Sequence, residues 1–402
     1  MIATRLGART LSPRWHLFSQ SAMHAVNDAL FSGVYPLLPL VAADLHLSYA
    51  QVGAIRTAYS GASAVFQLPA GLAAERYGEQ MLLALGTGWT GLGLVAAALL
   101  GGGFLSLLAL ALLAGLGGNP QHPIATAIIS RVFEGPRRAT AIGTLNFAGD
   151  LGKVAAPAVA GLAIAAYGWR GGFLALGAIG AVFALVYWAV VPGARPGGTP
   201  SSRSPHPSPL PEGEGVVPKG WGIARPGLFV LLTIVGCLDA TGRTTTLTFA
   251  PFLLGQHGFD AATIGLAYSA IYAAGAAGKF VCGPLADRFG NTALIVFTEL
   301  LTAGGVMALL HAPSALIFLA LLPLGFGLNG TSSVLYATVP AFFHAERRAR
   351  GYGLYFTCID VAGAASPILY GALADQVGVA ASLTVLAASI ALIAPLALVL
   401  RR

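Results

Sequence analysis

Gly71-Leu72-Ala73-Ala74-Glu75-Arg76-Tyr77-Gly78 and Gly283-Pro284-Leu285-Ala286-Asp287-Arg288-Phe289-Gly290 stand 212 residues apart and share one pattern. Each follows a long apolar run, and each sets two glycines around an acid next to a base. Glycine accepts the backbone of a tight turn, and a charged couple keeps such a turn in water. Both copies therefore read as short loops joining two membrane helices.

Composition places the rest of the chain in a bilayer. Of 402 residues 56% are hydrophobic and 9% charged, and the mean hydropathy is +0.76. Soluble domains carry about 25% charged residues, so the charge deficit decides the class. The net charge of +7 then belongs to loop residues that orient the chain, and nucleic-acid binding is not expected. Cys237, Cys282 and Cys358 lie singly in apolar runs without metal-ligand spacing, as packing residues would. Arg5, Arg9 and Arg14 before an apolar stretch look like the start of a secretory leader. His24, Asn27 and Asp28 interrupt that stretch, which continues apolar to Val41, so an uncleaved first span is expected.

A spanning helix needs about 20 mainly apolar residues. Twelve candidates occur, at about 16–41, 49–71, 80–100, 104–131, 139–166, 171–192, 227–254, 261–283, 292–311, 314–343, 351–374 and 379–400. The expected fold is an all-α integral membrane protein of twelve transmembrane helices in two six-helix bundles, 1–192 and 226–402. Between them residues 193–225, with seven prolines, are expected to be a disordered cytoplasmic linker. If the N-terminus faces the cytoplasm, 17 of the 22 Lys and Arg fall on that side and one, Arg170, on the other; Arg56, Lys153, Arg243 and Lys279 fall within spans. The positive-inside rule then places both termini in the cytoplasm, in a bacterial-type inner membrane.

The two halves repeat each other. At an offset of 210, Gly115, Gly117, Asn119, Phe133, Arg137, Arg138, Gly143, Asp150, Pro157 and Gly161 meet Gly325, Gly327, Asn329, Phe343, Arg347, Arg348, Gly353, Asp360, Pro367 and Gly371. Parallel repeats of this kind place a substrate site between the halves near the membrane midplane.

Nine in-span charges point to that site: Asp28, Asp150, Asp239, Glu299 and Asp360 with Arg56, Lys153, Arg243 and Lys279. At roughly 2.5 to 3.5 kcal/mol each they cannot face lipid. Spacing couples His24 to Asp28 and Asp239 to Arg243 at i and i+4, and Asp150 to Lys153 at i and i+3. Glu299 and Lys279 have no such neighbour and are as well explained as isolated polar residues. A buried carboxylate beside a cation can exchange a proton for a substrate, and His24 can relay that proton. In the fourth span Pro120 and Pro123 remove backbone donors and open the helix, so Asn119 and His122 would line the opening. The tenth span keeps Asn329 but has Gly330 and Thr331 in place of the prolines.

The two repeated loops resemble the signature loops of major facilitator superfamily transporters, and the resemblance covers the whole chain except the linker. It implies that Glu75 and Asp287, with Arg76 and Arg288 and the glycines Gly71, Gly78, Gly283 and Gly290, form gating loops. His24-Ala25-Val26-Asn27-Asp28 with Tyr35-Pro36-Leu37-Leu38, and the run from Gly115 to Pro123, are similar to the first and fourth helices of fosmidomycin-resistance-type efflux proteins. That branch implies export of drugs or small anionic compounds by proton antiport. The stretch from Gly143 through Asp150 to Gly161 looks like a degraded antiporter motif, though close helix packing accounts for its glycines equally.

The reading is a monomeric secondary transporter of a small-molecule substrate, with protons as coupling ion, the lipid bilayer as surroundings and no cofactor or metal. Proton-coupled export comes first. Import of an organic anion with protons, held by Arg56, Lys153 and Arg243, is the alternative. A non-transporting sensor and an intramembrane enzyme fit less well, since no added soluble domain and no catalytic or nucleotide-binding set occurs.

Overall fold

A computed structural model describes residues 12–118, 121–134, 136–191, 223–344 and 348–400. Most of the expected linker lies outside these, as do Asn119, Pro120 and Arg347. The helices are α1 Pro13–Ser32, α2 Leu38–Asp44, α3 Tyr49–Tyr77, α4 Glu79–Leu100, α5 Phe104–Gly115, α6 Gln121–Val132, α7 Pro136–Val190, α8 Pro226–Gln256, α9 Ala261–Phe289, α10 Asn291–His311, α11 Ile317–Thr338, α12 Arg348–Val377, α13 Val379–Ala391 and α14 Ile393–Val399. Among the described residues ten stretches are long and apolar enough to cross a membrane. The remaining two expected spans are α3, which carries Arg56, and the stretch in which α5 ends at Gly115 and α6 begins at Gln121.

α1 and α3–α7 form one bundle and α8–α14 the other, meeting chiefly where α3 packs on α12 and α7 on α9. Within α7 the helix turns back at Tyr167 and Gly168, so this element holds two spans. Gly168 has φ +61, and Gly78, Gly290 and Gly378 have φ between +85 and +97. These four glycines sit at equivalent joints of the two halves, each reversing the chain in a single residue that a side chain would strain.

The signature loops are shorter than their pattern suggests. Helix α3 continues through Gly71, Glu75 and Arg76 to Tyr77, and α9 through Gly283, Asp287 and Arg288 to Phe289, so only Gly78 and Gly290 make the turns. In the first copy the reason is local, since Leu, Ala, Glu and Arg are good helix formers. Arg76 and Arg288 then occupy the last turn, where a cation suits the helix dipole. Glu79, just past the first turn, ion-pairs with Arg131 and ties α4 to α6.

At the end of the bundle opposite the termini the halves are pressed together. A Cβ at Gly53 of α3 would stand 2.1 Å from the Pro367 carbonyl oxygen of α12. The Asp375 carboxylate of α12 accepts hydrogen bonds from the backbone N–H groups of Tyr49 (2.7 Å) and Ala50 (3.0 Å) in the first turn of α3, where the helix dipole favours an anion. Ser48 caps the same helix in a reciprocal box with Gln51. Across the second seam Gly265 of α9 meets the Pro157 carbonyl of α7. Asp260 caps α9 by accepting from Thr263 N (2.8 Å), which holds its exposed carboxyl below the usual carboxylate range.

Because Gly53 allows this approach, Gly53→Val should force this end apart. In a protein whose three cysteines are replaced by serine, Ser366→Cys is the reporter, since Ser366 is 2% exposed. Its maleimide labelling should rise about tenfold with Gly53→Val, as a shift of ~1.4 kcal/mol toward the open form gives. Unchanged labelling would show that the seam does not depend on this contact.

Candidate transport site

Near mid-depth, α1, α6, α7 and α9 bring six ionisable side chains together. On α1, Asp28 keeps 5% side-chain exposure and stands 3.4 Å from His24, as their spacing predicts. From α6, His122 reaches the same carboxylate at 3.6 Å, and its ring meets that of His24 edge-on at 4.6 Å. Lys153 of α7 lies 2.9 Å from Asp28 and 3.3 Å from Asp150, so it joins two helices. Lys279 of α9, from the other half, donates to the same Asp150 oxygen at 2.7 Å. Asp150 is therefore held by two ammonium groups, one from each bundle.

Glycine makes the approach of α1 and α7 possible. A Cβ at Gly149 would stand 2.6 Å from Asp28 Oδ2, and one at Gly152 would stand 1.9 Å from the Ala25 carbonyl oxygen. The antiporter-like run in the fifth span is thus a packing seam here, and it brings the Asp28 and Asp150 carboxylates onto one lysine. His122, Lys153 and Lys279 retain 47%, 27% and 31% side-chain exposure while both carboxylates stay nearly buried. The lysines are thus more accessible than the acids they pair with.

The cluster is an ion-pair site rather than a metal centre. Ligand atoms of His24, Asp28 and His122 lie within 4.8 Å of one another, a convergence that sequence spacing did not suggest. The Lys153 ammonium, however, stands 2.9 Å from the same Asp28 carboxylate. That positive charge opposes a divalent cation there.

The other half departs from its expected pairing. Asp239 and Arg243 do not form an ion pair within 4.0 Å, although they are four residues apart on α8. Arg243 lies near Tyr336, Asp239 and Asp360. Glu299 of α10, which spacing left alone, is 1% exposed with Oε1 unpaired. Asn27 and Asn329 are buried with Oδ1 and Nδ2 respectively unpaired. The Arg56 guanidinium lies away from this cluster, stacked on Tyr35.

The Lys279–Asp150 bond is the contact within this candidate site that sequence reasoning missed. Helical spacing finds partners only on one helix, and these two are 129 residues apart. The available signal was energetic: an in-span lysine with no neighbour on its own helix must find an acid elsewhere.

A sequence model of the Major Facilitator Superfamily matches residues 21–238 and 232–402. The chain is 30% identical over 155 residues to the hexuronate transporter of Bacillus subtilis (strain 168), covering 38% of this chain and 36% of the relative. It is 25% identical over 281 residues to the fosmidomycin resistance protein of Escherichia coli (strain K12), covering 68% and 66%. Thus the matches span less than two thirds of the length of these relatives. It is 27% identical over 363 residues to a probable sulfoacetate transporter of Cupriavidus necator, covering 85% and 82%. Among solved structures, a bacterial homologue of the human lysosomal transporter Spinster superposes with a TM-score of 0.79 at 18% identity, covering 98% of both chains.

A double-mutant cycle tests the bridge between the halves. Asp150→Asn leaves two lysines facing one neutral amide, and Lys279→Met removes one of them. Thermal unfolding in detergent should give a coupling energy of ~1–2 kcal/mol between the two sites, with the double variant more stable than the single losses sum to. Strictly additive losses would mean that the contact carries no energy.

Proposed function

The chain belongs to the major facilitator superfamily and is a membrane transporter, and from that premise we propose that it carries a small organic anion together with a proton. The supporting observation is Asp150 held between Lys153 and Lys279. With Asp28 and Asp150 ionised, two acids balance two lysines. An anionic solute can take a lysine only if an aspartate gives it up, and an aspartate gives it up most readily by accepting a proton. Anion and proton therefore load together, and His24 or His122 passes the proton to or from Asp28. Once loaded, the site has exchanged its internal carboxylate for that of the solute. The bond between the bundles is free to reform around the cargo, and the halves can rock.

The distribution of Lys and Arg supports termini in the cytoplasm of a bacterial plasma membrane. The closed end then faces outward and the exposed lysines face the cell interior. A proton gradient that is acid outside would drive the anion inward. Anion affinity rises as pH falls through the range in which the cluster accepts its proton, because the protonated cluster has a free cation. Relatives named for hexuronate and sulfoacetate, both organic anions, agree with this chemistry.

The second reading is proton-coupled export, in which solute and proton compete for Asp28. It is favoured by the likeness to the fosmidomycin resistance protein and by the His24-to-Asp28 run. The two readings differ in the sign of coupling. Right-side-out vesicles with an imposed acid exterior should accumulate glucuronate or sulfoacetate severalfold, and a protonophore should abolish the accumulation. Asp150→Asn should lose gradient-driven accumulation yet retain counterflow exchange. Accumulation in everted vesicles only when their interior is acid would reverse the proposal in favour of export.

A further inference from the structure

Arg56 presents a buried cation with nothing to neutralise it. The residue is 5% exposed, and among the described residues no carboxylate lies within 4.0 Å of it. Nη2 donates to the Tyr35 hydroxyl at 2.6 Å, while Nε and Nη1 have no hydrogen-bond partner. The guanidinium lies over the Tyr35 ring at 4.3 Å and the Tyr59 ring at 5.5 Å. It borders a cavity of about 30 Å³ whose other walls, including Val52, Leu94, Ala114 and Phe173, are apolar. An arginine does not shed its charge, and burying a cation without an acid is costly even with aromatic faces beside it. Folding alone would be served better by an apolar side chain.

Its position relates it to the route through the protein. Tyr59, Arg56, Tyr35 and Tyr268 form one stack that passes from the first bundle to the second, with Tyr35 and Tyr268 rings 6.1 Å apart and nearly parallel. Tyr272 continues it beyond Tyr268 at 6.3 Å. Through Tyr35 and Tyr268 this stack joins the two bundles toward the end away from the termini. Along the chain Tyr35 is seven residues beyond Asp28, roughly 10 Å at 1.5 Å per residue. Arg56 therefore stands at the closed end, one step before the charge cluster.

We propose that Arg56 is an oxyanion-receiving site for solute entering from this end, covered in the present state by Tyr35 and Tyr268. When the bundles part, Tyr268 leaves the stack and the two unused donors, Nε and Nη1, take a carboxylate or sulfonate in the two-pronged manner that guanidinium favours. The solute then passes to Lys153 and Lys279. This inference rests on the organic-anion reading above and adds a second, sided binding point to it. The tyrosine faces keep the cation tolerable while it is empty.

The test is sided kinetics in oriented proteoliposomes with glucuronate and sulfoacetate as probes, comparing wild type, Arg56→Gln, Arg56→Lys and Tyr35→Phe. Arg56→Gln should raise KM at least tenfold for entry from the face that Arg56 guards and leave KM from the opposite face within twofold. Arg56→Lys should recover part of the loss, since it keeps the charge but not the fork. Tyr35→Phe, which frees Nη2, should not raise KM. Each variant is first checked for a single peak on size exclusion; should Arg56→Gln fail that check, the Arg56→Lys asymmetry between faces decides. Wild-type flux with KM unchanged, or changed equally from both faces, overturns the role of Arg56 and leaves the anion reading standing. No wild-type flux of either probe overturns the reading and this inference together.

Discussion

Asp150 accepts one ammonium from its own helix and another from the opposite bundle, and much of the architecture follows from that shared carboxylate. A membrane interior leaves no water to neutralise four charges, so they must converge. Convergence needs α1, α7 and α9 close enough for side chains to meet within about 3 Å. The glycines of α7 permit this on one side, and the seam of Gly265 on Pro157 brings α9 in on the other. The same contacts that satisfy the charges join the halves.

The two bundles use their repeated positions differently. Asp28 and Asp150 meet lysines, whereas Asp239 and Arg243 form no ion pair with each other within 4.0 Å. The tenth span remains a continuous helix through Asn329 while the fourth breaks into α5 and α6. A duplicated scaffold thus builds its ion-pair site chiefly from one half, with Lys279 supplied by the other.

Much of this was legible in the sequence because it depends on local rules. Hydropathy set the spans, and i,i+3 and i,i+4 spacing found Asp150 with Lys153 and His24 with Asp28. Spacing was silent where the partner lies on another helix: Lys279 reaches Asp150 across the bundle interface. The signature stretches misled in a different way. Their outer glycines suggested a loop, but Leu-Ala-Ala-Glu-Arg is helical by propensity and only the last glycine turns. That no carboxylate among the described residues pairs with Arg56 became visible only from the packed helices.

Joint binding of anion and proton at the Asp150 cluster can be read by adding glucuronate or sulfoacetate to weakly buffered, detergent-solubilised protein near neutral pH and following a pH-indicator dye. Uptake of about one proton per anion bound is expected, as linkage between the two ligands requires, together with its loss in Asp150→Asn. Proton release on binding, or binding with no proton movement, would contradict it.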